Sequence, residues 1–395
     1  MNVDEAIDAV RDEALELSHR VHDTPEIAFQ EHRAAAWTAE LLERHGFDVV
    51  RGIGGLDTAI EARRRGTRPG PVVAFLGEYD ALPEVGHGCG HNLMCSSSAA
   101  AAVAAADTVG ADFAGEIRFV GTPAEEAGNG KIPLIEAGVF RDVDAALQFH
   151  PSDRTSSEIR CLALTEIGVA FHGVTAHASA DPWLGRNALD ALVTLYNSVA
   201  QWRQHLKPGE RVHGIINHGG AAPNIVPDET AGRFYVRTPV DRDLDPMIER
   251  FHAMADAAAV STGCTVTYVE SSRNRCRTML NNPTLLRLFR QHLAAAGWED
   301  GPIDPNAGST DMGNVSHELP TIHPMLAIAP EGTPGHSRQF SEYAAGPRGD
   351  EAMLVAARVL AATAVDLLRQ PNLVAEAWAA FRSAEGCAGG PELGD

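Results

Sequence analysis

Three short apolar runs constrain this chain more than any other feature: Val72–Leu76 (VVAFL), Ile117–Val120 (IRFV) and Ala145–Phe149 (AALQF). Each is rich in β-formers and bounded by loop residues, so each reads as a buried strand of a largely parallel sheet. Helical spacing of apolar residues surrounds them, over Asp4–Arg20 and Glu31–His45, after Asn92, and near Lys131–Ala137. Alanine is the best helix former, which makes the biased stretch Ser96–Ala106 a buried helix rather than a low-complexity tract. Strand alternating with helix implies an α/β layer fold.

Near Leu164 the pattern changes. Between 165 and 273 the order becomes strand, helix, strand, strand, helix, strand. The strands are ALTEIGVAFHG, VHGIINHGG, ETAGRFYVRT and CTVTYVES, and the helices are Asn187–His205 and Leu244–Ser261. That order suits an α+β sandwich of the ferredoxin-like, split-βαβ kind. After Pro283 the α/β pattern resumes and ends in a helix over Gly349–Leu368. The expected architecture is an α/β domain in two pieces, 1–164 and 274–395, interrupted by an inserted α+β domain, 165–273. A chain of 395 residues is long enough for both.

The formal net charge of -21 excludes a phosphate-backbone partner, because a nucleic-acid binder needs a basic face. The N-terminus, MNVDEAIDAVRDEALELSHRVHD, is acidic and amphipathic and lacks the form of a secretory signal. No apolar run reaches the ~18 residues of a membrane span, so a cytoplasmic protein is expected. The cysteines (Cys89, Cys95, Cys161, Cys264, Cys276, Cys387) are too sparse for a disulfide framework. In a reducing compartment a cysteine beside histidines points to metal or chemistry. The Gly-rich, acidic tail AEGCAGGPELGD is expected to fray.

Polar residues fall at the ends of the three runs. VVAFL leads into Gly77-Glu78-Tyr79-Asp80 and then His87-Gly88-Cys89-Gly90-His91-Asn92; IRFV leads into Glu125-Glu126; AALQF leads into His150. In open α/β sheets the carboxyl ends of neighbouring strands line one crevice, so these groups should converge. Singly they say little. A lone cysteine is a small apolar filler, a lone histidine is scaffold, and adjacent glutamates form a solvated face. Yet Glu125-Glu126 follows a buried strand, where paired charge is costly unless cations compensate it. Together Cys89, His91, Glu126 and His150 make the mixed S, N and O donor set that suits zinc and admits manganese. One glutamate would then bind an ion while the other takes a proton from the attacking water and delivers it to a leaving amine. Ser-His-Asp chemistry is set aside, since no G-x-S-x-G elbow is present.

The motifs GEYDALPEVGHGCGHN, GTPAEEAGNGKIPLIEAG, QFHPS, GVTAHASADPWLGRNALDA, HGGAAPNIVPD, GSTDMGNVS and GTPGHS run in order along nearly the whole chain. In these the chain resembles the M20 metallopeptidase family, in its amidohydrolase branch, where cysteine replaces a bridging aspartate. The resemblance implies a metal-dependent exopeptidase-like catalytic domain carrying an inserted lid and dimerisation domain. It implies Cys89 as the bridging ligand, with His91, Glu126, His150 and the distant His336 completing sites for two divalent ions per subunit, zinc or manganese, with nickel compatible. It further implies Glu125 as general base and Asp80 as the aspartate that orients a neighbouring group. In the inserted domain it implies His177 as the group that polarises the scissile carbonyl, in cis or from a partner subunit, and Asn224 and Arg237 as substrate grips. His87 is expected beside the ligands rather than among them.

Asn92 stands where many relatives of this branch have aspartate after CGH. With GEYDALP and Lys131, it places the chain nearest aminobenzoyl-glutamate hydrolases and aminoacylase-1-like dipeptidases. The implied activity is hydrolysis of an N-acyl or aminoacyl amide bond in a small carboxylate-bearing substrate by a homodimer. Two alternatives stand beside it: hydrolytic deamination of an aryl amine at the same site, and a non-catalytic metal-binding subunit.

Overall fold

The computed structural model describes residues 1–304 and 308–386; of the tail expected to fray, Ala384–Gly386 instead end the helix Pro371–Gly386, and the stretch from Cys387 lies outside the described residues. The chain folds as two compact units. Among the described residues, the first combines Met1–Arg160 with the chain from Met279 to Gly386, and the second is Cys161–Thr278.

In the first unit, six strands form one sheet in the order Asp48–Arg51, Ile60–Arg65, Ala114–Gly121, Arg68–Gly77, Ala145–Leu147, Thr321–Ile322. The last four are mutually parallel, while the first two join antiparallel at one edge. That antiparallel edge departs from the apolar pattern. Ile60–Arg65 reads IEARRR, and its Arg63 and Arg65 meet Glu116 of the neighbouring strand, at 3.9 and 3.2 Å. Register sets where the chain emerges from the sheet. Phe75 lies opposite Phe119 and Leu147, and Gly77 opposite Gly121, so the chain leaves all three central strands at one sheet edge. Beyond Leu147 the chain shifts into a separate two-stranded piece, His150–Ser152 against Met325–Ala327.

The helix His91–Val109 is buried along nearly its whole length and packs between Val3–His22 and Pro347–Arg369. A helix apolar all round belongs in a core, and its alanines let two flanking helices approach closely. Gly90, at φ 78, supplies the left-handed turn that starts it; a Cβ there would lie 2.8 Å from the Pro151 ring.

In the second unit the strands order as Thr265–Val269, Ala163–His172, Glu229–Thr238, Arg211–His218, all antiparallel. Burial alternates strictly along Ala163–His172, which puts Ile167, Val169 and Phe171 against the helices Ala188–Trp202 and Leu244–Thr262. Arg275–Cys276 pairs back onto Thr165 and Leu164, so the unit continues past the last long strand. Among the described residues, no helix is long and apolar enough to cross a membrane.

Candidate metal centre

Each strand end delivers its side chains by a separate device. After Gly77, Tyr79 turns inward and its hydroxyl donates to the Thr58 carbonyl. This leaves Glu78 and Asp80, both buried, on the other side of the chain. Asp80 serves two neighbours. Its Oδ1 lies 3.0 Å from His91 Nδ1, whose other contact is the Asp80 carbonyl at 2.9 Å, and its Oδ2 accepts the Glu126 N–H at 3.0 Å. With acceptors on both contacts, His91 carries its proton on Nδ1 and leaves Nε2 as a lone pair. His150 is set the same way, with Nδ1 2.6 Å from the Pro151 carbonyl and Nε2 facing Cys89 Sγ at 3.3 Å.

His336 reaches the cluster from a remote loop. Its backbone is left-handed at φ 56, its N–H donates to the Gly88 carbonyl at 2.9 Å, and its Nε2 lies 3.3 Å from Glu126 Oε1. That backbone bond straps the cysteine loop to the histidine loop. Among the described residues three groups have donor atoms within 4.8 Å of one another: Cys89 with His91 and His150; Cys89 with Glu126 and His336; and Glu78 with His91 and Glu125.

The electrostatics of this cluster call for cations. Burial, followed by the charge of Glu126, pushes the Cys89 thiol well up. Burial, followed by the charges of Glu78 and Glu126, pushes the Glu125 carboxyl up as well. His91 Nε2 is buried without a hydrogen-bond partner, although Glu78 Oε2 is 3.2 Å away. A buried lone pair aimed at a thiol and carboxylates is the donor set that divalent ions satisfy, so these residues fit such ions.

Beneath the cluster lies a network that the sequence motifs left unassigned. The buried Lys131 ammonium donates to Glu78 and, at 2.7 Å, to Asp311, while its N–H donates to the other Asp311 oxygen at 2.9 Å. Gln148 adds a bond to Glu78 at 3.1 Å. Burial alone would raise the Glu78 carboxyl, but the Lys131 ammonium beside it holds it below the usual carboxylate range. His323 stands edge-on to His150, with centroids 5.5 Å apart. Glu78, two residues before Asp80, and Asp311, inside GSTDMGNVS, carried the only available signal. His87 is buried with Nε2 3.1 Å from the Val21 carbonyl, and it joins none of the three groups.

His177, Asn224 and Arg237 belong to the second unit. His177 and Asn224 are both exposed, and a backbone bridge between His177 and Ile225 brings them together. His177 Nδ1 accepts the N–H groups of Ser179 (3.3 Å) and Ala180 (3.1 Å), so the neutral ring carries its proton on Nε2. The Asn224 carbonyl accepts the Ala178 N–H at 3.0 Å. Arg237 lies on the Glu229–Thr238 strand with its guanidinium 5.4 Å from the Tyr235 ring centroid, and its buried Nε has no hydrogen-bond partner.

Residues 74–366 match the model of Peptidase family M20/M25/M40. The chain is 37% identical to the Xaa-Arg dipeptidase of Mus musculus, covering 94% of this chain and 89% of the relative. It is 31% identical to a p-aminobenzoyl-glutamate hydrolase subunit of Escherichia coli, covering 95% and 93%. Its fold is shared with a dinuclear metal binding peptidase of the M20 family from Bacillus subtilis, at a TM-score of 0.69 and 20% identity over 92% of this chain and 99% of that one. The chain therefore belongs to peptidase family M20/M25/M40 and is a hydrolase of that family.

Proposed function

We propose that this protein hydrolyses the amide bond of a small, carboxylate-bearing N-acyl or aminoacyl amino acid, using two divalent ions per chain. The observation that carries the reading is the pair of donor groups meeting at Cys89, with a second glutamate beside them. Cys89, His91 and His150 would hold one ion; Cys89, Glu126 and His336 would hold the other. Zinc suits a thiolate and imidazole set, and manganese or nickel is compatible. When bound, such ions supply Lewis-acid polarisation and acidify water.

The remaining work belongs to side chains. Glu125 takes a proton from the attacking water and gives it to the leaving amine nitrogen, so the carboxylate returns unchanged. Asp80 keeps His91 in the tautomer that presents Nε2 and steadies the turn that bears Glu126. His177 offers Nε2–H to the carbonyl oxygen as negative charge grows there. Asn224 and Arg237 receive the substrate, and the unpartnered Arg237 Nε suits a carboxylate. The names of the two relatives speak for this class: a dipeptide ending in arginine and aminobenzoyl-glutamate both release a free amino acid. The second unit acts as lid and pairs two copies of the chain.

The test measures metal per chain in wild type and Cys89→Ala, together with products from Xaa-Arg dipeptides, aminobenzoyl-glutamate and N-acyl amino acids. About two ions per chain are expected for a site of this kind, halved or lost in the variant along with amino-acid release. Absence of metal after reconstitution with zinc and manganese overturns the reading. Ammonia without an amino acid shifts it to aryl-amine deamination. A monomeric mass in light scattering with full activity overturns the dimer.

A further inference from the structure

The turn that carries Glu125 and Glu126 does not hold its own shape. Ala124 and Asn129, at its two ends, are left-handed at φ 60 and 47, a conformation sterically unfavourable for L side chains. Gly130 folds back so tightly that a Cβ there would stand 1.9 Å from the Pro123 carbonyl oxygen. A turn like this persists only where its surroundings over-determine it.

Carboxylates from elsewhere in the first unit impose the shape by accepting its backbone N–H groups. Asp80 takes that of Glu126 and Asp311 that of Lys131. Glu31 takes that of Ala124 at 2.9 Å, across a separation of 93 residues. Asp80 and Asp311 are tied to His91 and Lys131, but Glu31 is bound differently. Its Oε1 also accepts the N–H of Phe29 (3.0 Å), itself left-handed at φ 62, and its Oε2 accepts the Thr58 hydroxyl (2.8 Å). Glu31 is fully buried, so its carboxyl group sits in the interior with three donors and no cation among them. The loop it organises reaches the turn a second time, because the Phe29 ring lies where a Cβ on Gly128 would stand, 2.4 Å from that position.

We propose that Glu31 is a positioning residue for hydrolysis: its clamp on Ala124, and on the Phe29 loop that abuts Gly128, aims Glu125 at the reacting water. The proposal rests on Glu125 being the general base. It requires an oxygen acceptor at the Oε1 position, not a charge. Glutamine supplies that oxygen, and the Thr58 hydroxyl can rotate to accept from the new amide. Aspartate keeps the charge but is one methylene short of Ala124, and alanine removes the acceptor altogether.

Hydrogen–deuterium exchange on the zinc-loaded protein reads the clamp without any substrate. Glu31→Ala and Glu31→Asp are expected to speed exchange in peptides spanning 119–131 about tenfold or more, with the second unit unchanged. Glu31→Gln should exchange like wild type. On whichever Xaa-Arg dipeptide or aminobenzoyl-glutamate is turned over, kcat should fall about 100-fold in the Ala and Asp variants, with KM nearly constant, as for a misplaced base. Glu31→Gln should keep kcat. In a Glu125→Gln background Glu31→Ala should cost nothing further, since no base is left to aim.

Unchanged exchange at 119–131, a Glu31→Gln variant as damaged as Glu31→Ala, or a full additional loss in the Glu125→Gln background would each overturn the proposal. If Glu31→Ala does not fold, the Asp and Gln variants decide between acceptor and charge. If Glu125→Gln alone keeps its activity, the reading of the base fails, and the exchange data still decide whether Glu31 holds the turn.

Discussion

The two units keep most of their candidate residues under opposite conditions, the exceptions being His336, exposed in the first, and Arg237, half-buried in the second. In the first, Asp80, His91 and Glu78 are buried, and the turn of Glu125 and Glu126 is pinned by acceptors drawn from distant segments. In the second, His177 and Asn224 are exposed and held by neighbours a few residues away or across a single bridge. A buried polar group must find partners, and many partners define one geometry. An exposed group is satisfied by water and keeps its freedom. On the proposed function, the first unit fixes reacting groups and the second presents groups that meet a substrate when it arrives.

The largest effect that could break this contrast is catalytic. Glu125→Gln should lower kcat by ~10²–10⁴-fold, as loss of a general base does, with metal content unchanged. His177→Ala should cost ~10²–10³-fold, as loss of one carbonyl-oxygen donor does, also with metal retained. Metal loss in His177→Ala would erase the distinction between a fixing unit and a presenting one.

Stability gives the next largest effect. Lys131→Met leaves Glu78 and Asp311 buried without their cation and should destabilise by ~3–5 kcal/mol in denaturant unfolding. The same change at Arg233, which lies 3.9 Å from Glu166 on the second unit's sheet and is half exposed, should cost ~0–1 kcal/mol. Equal losses at the two sites would mean that burial does not separate the units.

The smallest effect concerns pH. Burial, aided by the neighbouring Asp80 charge, pushes the Glu31 carboxyl up from 4.5 to about 7. Between those values the folded chain keeps a proton that the unfolded chain has released. The contribution of Glu31 is therefore present at low pH and lost as pH rises toward 7, at no more than ~1.4 kcal/mol per pH unit. Glu31→Gln should remove this slope from a series of thermal melts between pH 5 and 7. A slope unchanged in the variant would assign the titration to another group.

Much of the centre was legible because its residues follow strand ends. VVAFL, IRFV and AALQF mark strands, and the polar residues just beyond them, Asp80, Glu125-Glu126 and His150, must emerge at one edge once the strands lie parallel. The alanine run was legible as a buried helix by propensity alone. His336 had no such signal, since it lies 186 residues after His150 by their numbering and comes in through a left-handed loop residue; only the family motif GTPGHS pointed to it. Asp311 and Gln148 were missed, and Glu78 was placed at the strand end without its ion pair, because a buried ion network has no period along the chain. Glu31 was missed for the same reason: an acceptor of one backbone N–H 93 residues away leaves no local pattern.

By itself, then, the sequence determined which residue types could do the chemistry, where strands and helices would form, and that a second α+β unit interrupts the first. Each of these follows from short-range periodicity and from the donor chemistry of Cys, His and Glu. Only the tertiary structure decided which nitrogen of each histidine faces the centre, which carboxylates restrain the glutamate turn, and that a lysine neutralises the charge beneath it. Those outcomes depend on hydrogen bonds between segments remote in sequence, and burial, which makes each unmet bond costly, selects one arrangement among the many the motifs allow.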